Sequence, residues 1–161
     1  MISAEQVKAL REETGLSIMQ VKGALEEAHG DLDQARAILR DKSAQAALKK
    51  ADREFGAGIV ASYVHATREM GAMIMLSCET DFVAKTEDFI ALADDLAKQV
   101  AAMSPTVIKR DEGDDRSTEE VLMEQPFLKN SDMTVAEMIA GATQKLGERI
   151  EVTEMVRFSV K

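Results

Sequence analysis

The stretch GAMIMLSCETDFVAK, from Gly71 to Lys85, changes character at its midpoint. Gly71 to Cys78 carries no charge and reads as a largely buried strand. At Glu79, Thr80 and Asp81 the chain turns polar, and an aromatic residue, Phe82, follows at once. A helix start comes next: Thr86 has the cap chemistry, and Glu87 and Asp88 place acids where the helix dipole favours them. The apolar stripe Phe89, Leu92, Ala93, Leu96, Val100 and Met103 has helical spacing, and Pro105 lies just past its end. A strand that feeds a helix through a polar turn is the joint of an α+β body.

Working outward, GIVASYVH (Gly58–His65) is a second strand, joined to the first by the polar bend ATREM, which predicts a hairpin. Beyond the central helix, RDEGDDRSTEE (Arg110–Glu120) has no apolar period and many carboxylates, so an acidic, mobile loop is expected within 104–124. QPFLKNSD (Gln125–Asp132) reads as irregular. Thr134 and Glu137 have capping-box spacing and open a helix bearing Val135, Met138, Ile139, Ala142 and Leu146, which Gly147 stops. From Ile150 to Val160 the chain alternates: Ile150, Val152, Val156, Phe158 and Val160 are expected to face the helices, and Glu151, Thr153, Arg157 and Ser159 to face away. Glu154 is the one break in the apolar row.

Residues 1–42 differ in kind. Ser3 and Gln6, Ser17 and Gln20, and Asp31 and Gln34 repeat one helix-start spacing, while Gly15 and Gly30 stand where helices should stop. Val7 and Leu10, then Ile18, Val21 and Leu25, then Leu32, Ala35, Ile38 and Leu39 supply an aliphatic face. The expected organisation is an all-α three-helix module (1–42), a short helical connector (43–53) and an α+β body (54–161) with at least three antiparallel strands.

The 161 residues carry a formal charge of −9, which opposes direct nucleic-acid binding and suits a partner with a basic surface. Aromatic residues make up 4% and there are ten Met, so the core is aliphatic. The single cysteine, Cys78, excludes an intrachain disulfide. The N-terminus lacks the pattern of a secretory signal, and no run approaches the roughly 18 apolar residues of a membrane span. A cytoplasmic protein without membrane contact is expected.

Catalytic patterns are missing. There is no phosphate-binding glycine loop and no nucleophile elbow. His29 and His65 lie in different modules, Cys78 has acidic neighbours that disfavour its thiolate, and Glu79 and Asp81 lack a third metal ligand at useful spacing. Residues 111–120 lack the alternating ligands of a calcium loop. No cofactor and no catalytic role are expected. Phe82 has two readings on composition alone: an inward plug between hairpin and helix, or an exposed anchor for another protein.

LREETGLSIMQVKGAL (Leu10–Leu25) resembles the first signature of the translation elongation factor Ts family, and LSCETDFVAK (Leu76–Lys85) closely matches its second. The segment from Glu124 to Val160 is similar to the end of the short bacterial members. The family usually has Gly-Ala-Gly-Met-Met-Asp where this chain has Gly15 to Gln20, and short members have a longer helical segment before the Glu-Gln-Pro-Phe motif. The resemblance implies a ubiquitin-associated-like N-terminal fold and, as function, guanine nucleotide exchange on elongation factor Tu. It implies that Thr80, Asp81, Phe82 and Val83 disturb the GTPase's Mg²⁺ site, with Asp81–Phe82 inserted, and that Arg11, Ile18 and Met19 touch the GTPase domain. It also implies a homodimer, since long members duplicate the body within one chain. A competing reading is a protein-binding adaptor that has lost exchange activity.

Overall fold

The computed structural model describes residues 1–161 and has an α+β fold with an N-terminal helical bundle. The bundle contains α1 (Ala4–Thr14), α2 (Ile18–Glu27) and α3 (Leu32–Lys49). Ser3 and Gln6 form a reciprocal capping box, as do Ser17 and Gln20, and Asp31 Oδ1 accepts the Gln34 N–H at 2.8 Å. Each such cap is worth about 0.5–2 kcal/mol, a large share for a bundle whose buried apolar core is only eight residues, among them Leu10, Val21, Leu25 and Leu39. Gly15 ends α1 at φ 67°, a left-handed conformation that favours glycine.

The third helix does not stop at residue 42. It runs unbroken to Lys49, so the bundle's last helix and residues 43–49 of the expected connector are one element. Asp41 to Leu48 contains neither Gly nor Pro and is rich in Ala, so nothing local ends the helix. Its second half leaves the bundle and packs along α6 (Val135–Leu146). There Ser43 hydrogen-bonds Gln144, Arg40 Nη2 donates to Asp132 O at 3.2 Å, and Arg40 Nε lies 3.6 Å from Glu137.

The body is built on an antiparallel sheet in the order β1 (Ala57–Val64), β2 (Met70–Cys78), β5 (Glu151–Ser159). The hairpin pairs Ile59 with Leu76 and Ala61 with Ile74. A single-turn helix, α4 (Asp81–Ala84), stands where a plain turn was expected, and α5 (Glu87–Met103) follows. Thr86 Oγ1 caps α5 by accepting the Phe89 N–H. Phe89, Leu96, Ala97 and Val100 are buried against the inner sheet face formed by Ala61, Ile74, Leu76 and Val152.

The alternation expected of the last strand is overturned. Pairing shifts from Met75–Glu154 to Leu76–Val152, so Thr153 is an extra residue, a β-bulge. The bulge reverses which side chains face the helices. Val152 points inward, Met155 and Arg157 are half-buried, and Val156, Phe158 and Val160 are exposed on the outer face. Arg157 Nε donates to the Ala101 carbonyl at 2.9 Å, which gives this inward-turned charge a partner.

Two further segments are more ordered than their composition suggests. Within Gln125–Asp132, β3 (Pro126–Phe127) pairs with β4 (Asn130–Thr134), and Phe127 enters the core. The acidic segment folds around Arg110, which donates to both Glu124 carboxylate oxygens at 2.9 and 2.7 Å and to the carbonyls of Asp114 and Arg116. At its end Val121 and Leu122 are fully buried. Buried Gln125 meets buried Gln99 of α5 at 3.1 Å and donates to Glu119 O, so the loop is tied to the core by a satisfied polar network.

Candidate functional site

The second half of the Gly71–Lys85 stretch forms a projection at the end of the hairpin. β2 ends at Cys78, which is fully buried; burial, followed by the nearby Glu148 charge, raises its thiol pKa, and its Sγ–H donates to Thr80 O at 3.2 Å. A protonated, enclosed thiol is a packing residue and not a nucleophile. Gly56 passes close by, its N–H donating to Cys78 O at 3.1 Å, and a Cβ there would stand 2.7 Å from Glu79 O. Only glycine fits that approach.

The next two residues are held by a partner far along the chain. Glu148 Oε2 accepts the N–H groups of Glu79 at 3.0 Å and of Thr80 at 2.9 Å, and Glu148 Oε1 takes the Thr80 hydroxyl. In return Glu79 Oε2 accepts the Arg149 N–H at 2.5 Å. Arg53 lies 3.4 Å from the Glu79 carboxylate, and the Arg149 guanidinium stacks over Phe55 at 4.2 Å. The turn is thus pinned to the α6–β5 connection by carboxylates exchanged in both directions.

Thr80 is the N-cap of α4, with extended backbone at φ −128° and ψ 154°. Its hydroxyl does not cap α4, because Glu148 holds it. Val83 packs against the core and Ala84 is buried, so these residues seat the helical turn. Asp81 and Phe82 take the opposite side. Asp81 Oδ2 pairs with Lys85 Nζ at 3.0 Å in solvent. Phe82 is 83% exposed, so it is not an inward plug, whereas Phe89 on α5 is wholly buried.

The other expected contact residues lie on the bundle. Arg11 is an exposed residue in the last turn of α1. Ile18 and Met19 open α2 directly after the Ser17 cap and are 53% and 79% exposed. They and the projection occupy different modules. Ile18 and Met19 are neighbouring exposed apolar side chains on the bundle, and Phe82 is a third on the projection.

Sequence reasoning missed Glu148, Arg149, Arg53 and Phe55, which have no spacing that links them to Thr80. His29 ends α2 in a left-handed conformation at φ 53°, and His65 Nδ1 contacts Thr67 Oγ1 at 2.9 Å within the hairpin bend, which gives each a structural part. No cluster of three His, Cys, Asp or Glu side chains is arranged to hold a metal ion. A cleft of about 350 Å³ is lined by residues of α1, α3, α5 and α6, with charges paired internally, Arg36 with Glu13 at 2.9 Å and Lys145 with Asp88 at 3.0 Å.

An elongation factor Ts from Thermosipho melanesiensis is 40% identical to the chain, over 99% of the chain and 99% of that relative. The chain belongs to the elongation factor Ts family. The family's model, elongation factor TS, matches residues 45–118. Elongation factors Ts from Heliobacterium modesticaldum and Moorella thermoacetica are 37% and 39% identical, each over 99% of the chain and over 90% and 96% of their own lengths. The Thermosipho alignment spans 194 positions against 161 residues here, so that relative has at least 33 positions that this chain lacks. Members of the family are known as nucleotide exchange factors of elongation factor Tu.

Proposed function

We propose that the chain is a guanine nucleotide exchange factor for elongation factor Tu and that its Asp81–Phe82 turn is inserted near the Mg²⁺ site of that GTPase. The observation that carries this reading is Phe82, exposed on a turn whose backbone is pinned from behind. A side chain that stabilised only this fold would be buried; one presented this way has its apolar surface available to a partner.

The chemistry is binding, with no bond made or broken, so the chain is not an enzyme and needs no cofactor. Mg²⁺ neutralises phosphate charge on GDP and fixes the nucleotide. An exchange factor binds the nucleotide-free GTPase better than the GDP form, and by linkage it weakens GDP by the same factor that GDP weakens it. Burying Phe82 in the partner contributes about 1.5–3 kcal/mol, and this favours exchange when the receiving cavity opens only as the Mg²⁺ shell is disturbed. Asp81 brings negative charge toward a shell that already surrounds phosphate. Thr80 and Val83 hold the turn. Arg11, Ile18 and Met19 supply affinity from the bundle.

The chain acts as a homodimer. Val60, Val64, Met73, Met75, Val156, Phe158 and Val160 expose apolar side chains on the outer side of the sheet, interrupted by Ser62 and Glu154. Such a face calls for cover, and a second copy offers the same apolar surface across a two-fold axis. No helix of the structure is long and apolar enough to cross a membrane, and we place the protein in the cytoplasm with its GTPase, without a direct nucleic-acid contact.

Release of labelled GDP from elongation factor Tu, measured with and without the protein, tests the function. Acceleration at substoichiometric amounts is expected. Binding without acceleration would overturn exchange and leave the adaptor reading.

A further inference from the structure

We propose that Glu148 is a positioning residue for exchange: through the backbone of Glu79 and Thr80 it fixes the direction in which Asp81 and Phe82 project. The inference rests on the function proposed above. The Glu148 carboxylate satisfies three donors. The N–H groups of Glu79 and Thr80 lie past the end of the β1–β2 ladder, whose last pair is Ala57–Cys78. They therefore have no strand partner, and Glu148 Oε2 takes both, at 3.0 and 2.9 Å. Its other oxygen takes the Thr80 hydroxyl. With the Cys78 thiol on Thr80 O, every polar group of Thr80 is occupied.

This matters because α4 is too short to hold itself. A four-residue helix is below the length at which helix formation is self-sustaining. Val83 and Ala84 fix its inner side, but they do not fix the residue that enters the turn. Thr80 does, and Thr80 is set by Glu148. The reciprocal bond from the Arg149 N–H to Glu79 Oε2 at 2.5 Å prevents the two connections from sliding past each other. Arg53, near Glu79, and Arg149, which pairs with Glu151 at 3.2 Å, balance the local negative charge. Glu79 and Glu148 are consequently committed inside this molecule, whereas Asp81 and Phe82 face outward. A projection ordered before docking loses less freedom on binding, and its reacting partner meets one conformation.

The test uses the full chain and elongation factor Tu loaded with fluorescent GDP, with the maximal release rate and the half-saturating concentration measured separately. Glu148→Ala is expected to lower the maximal rate by about 5–10-fold, in line with the cost of small misplacements. The half-saturating concentration should stay within about twofold, because the bundle residues are intact. Glu148→Gln keeps one acceptor oxygen and should fall between. Glu148→Ala added to Phe82→Ala should slow release by less than the product of the two single losses, since only the positioning of Asp81 is left to lose. Hydrogen exchange of the amides at 79–82 should quicken in Glu148→Ala while α5 stays protected. A wild-type maximal rate in Glu148→Ala, or losses that multiply in the double variant, would overturn the positioning role. Unchanged amide exchange at Glu79 and Thr80 would overturn the clamp itself, whatever the rates. Absence of acceleration by the wild-type chain would instead overturn the proposed function and the role resting on it, with amide exchange still deciding whether the clamp exists.

Discussion

Lys85 Nζ stands 3.0 Å from Asp81 Oδ2, one turn along α4, and both side chains are open to solvent. The Lys85 hydrogen bond, then its charge, hold the Asp81 carboxyl below its ordinary value. A depressed carboxyl pKa contributes above the unfolded value of about 3.9 and is lost as pH falls through the folded one. Asp81 is therefore ionised throughout the neutral range. Asp81→Ala should slow catalysed GDP release at least about tenfold, and the ratio of wild-type to variant rates should stay flat between about pH 5.5 and 8. A ratio that titrates near neutrality would assign the effect to another group.

Phe82→Ala and Phe89→Ala separate docking from packing. Phe82 touches solvent, so its removal should change stability by less than about 0.5 kcal/mol and slow GDP release at least about tenfold. Phe89 is fully buried, and its removal should cost about 3–5 kcal/mol. Met19→Ala should raise the half-saturating concentration without lowering the melting temperature. Thermal melts and exchange kinetics on the same samples check all three.

Gln125 joins the acidic segment to α5. Gln125→Ala removes one of the two acceptors of the buried Gln99 Nε2 and the donor shared by the Met103 and Glu119 carbonyls, at a cost of about 1–3 kcal/mol in urea unfolding. By contrast, a Gly/Ser replacement of residues 111–116 spares that network and the backbone atoms that bind Arg110. Exchange activity should remain within a few-fold. A collapse of activity would place the acidic segment in the interface with the GTPase.

Phe158 is 73% exposed near the end of the edge strand β5, on the outer sheet face. Phe158→Glu puts like charges together wherever two copies pair these faces, and it disturbs nothing inside the subunit. Sedimentation at tens of micromolar should show a dimer for the wild type and a monomer for the variant, with unchanged circular dichroism. A wild-type monomer would sink the dimer.

What the chain encodes within four residues was legible as written. The caps at Ser3, Ser17, Asp31, Thr86 and Thr134 all bind an N–H three positions on, and all form. The β1–β2 hairpin and the amphipathic α5 follow from side-chain period, and the string from Leu76 to Lys85 identified the family before any fold was known. Tertiary structure decided the rest. Thr153 bulges where β5 meets β2, beside a Ser77–Thr153 hydroxyl contact at 2.8 Å, and that pairing alone turned Phe158 outward. Composition allowed Phe82 an inward or an outward position, and the packing of Val83 and Ala84 against the core leaves it facing solvent. Glu148 lies 68 residues from Thr80, so no spacing could join them. Local hydrogen bonds and periodicity are written in the order of residues, whereas the seating of a helical turn on the core and the meeting of distant loops exist only once the chain has closed on itself.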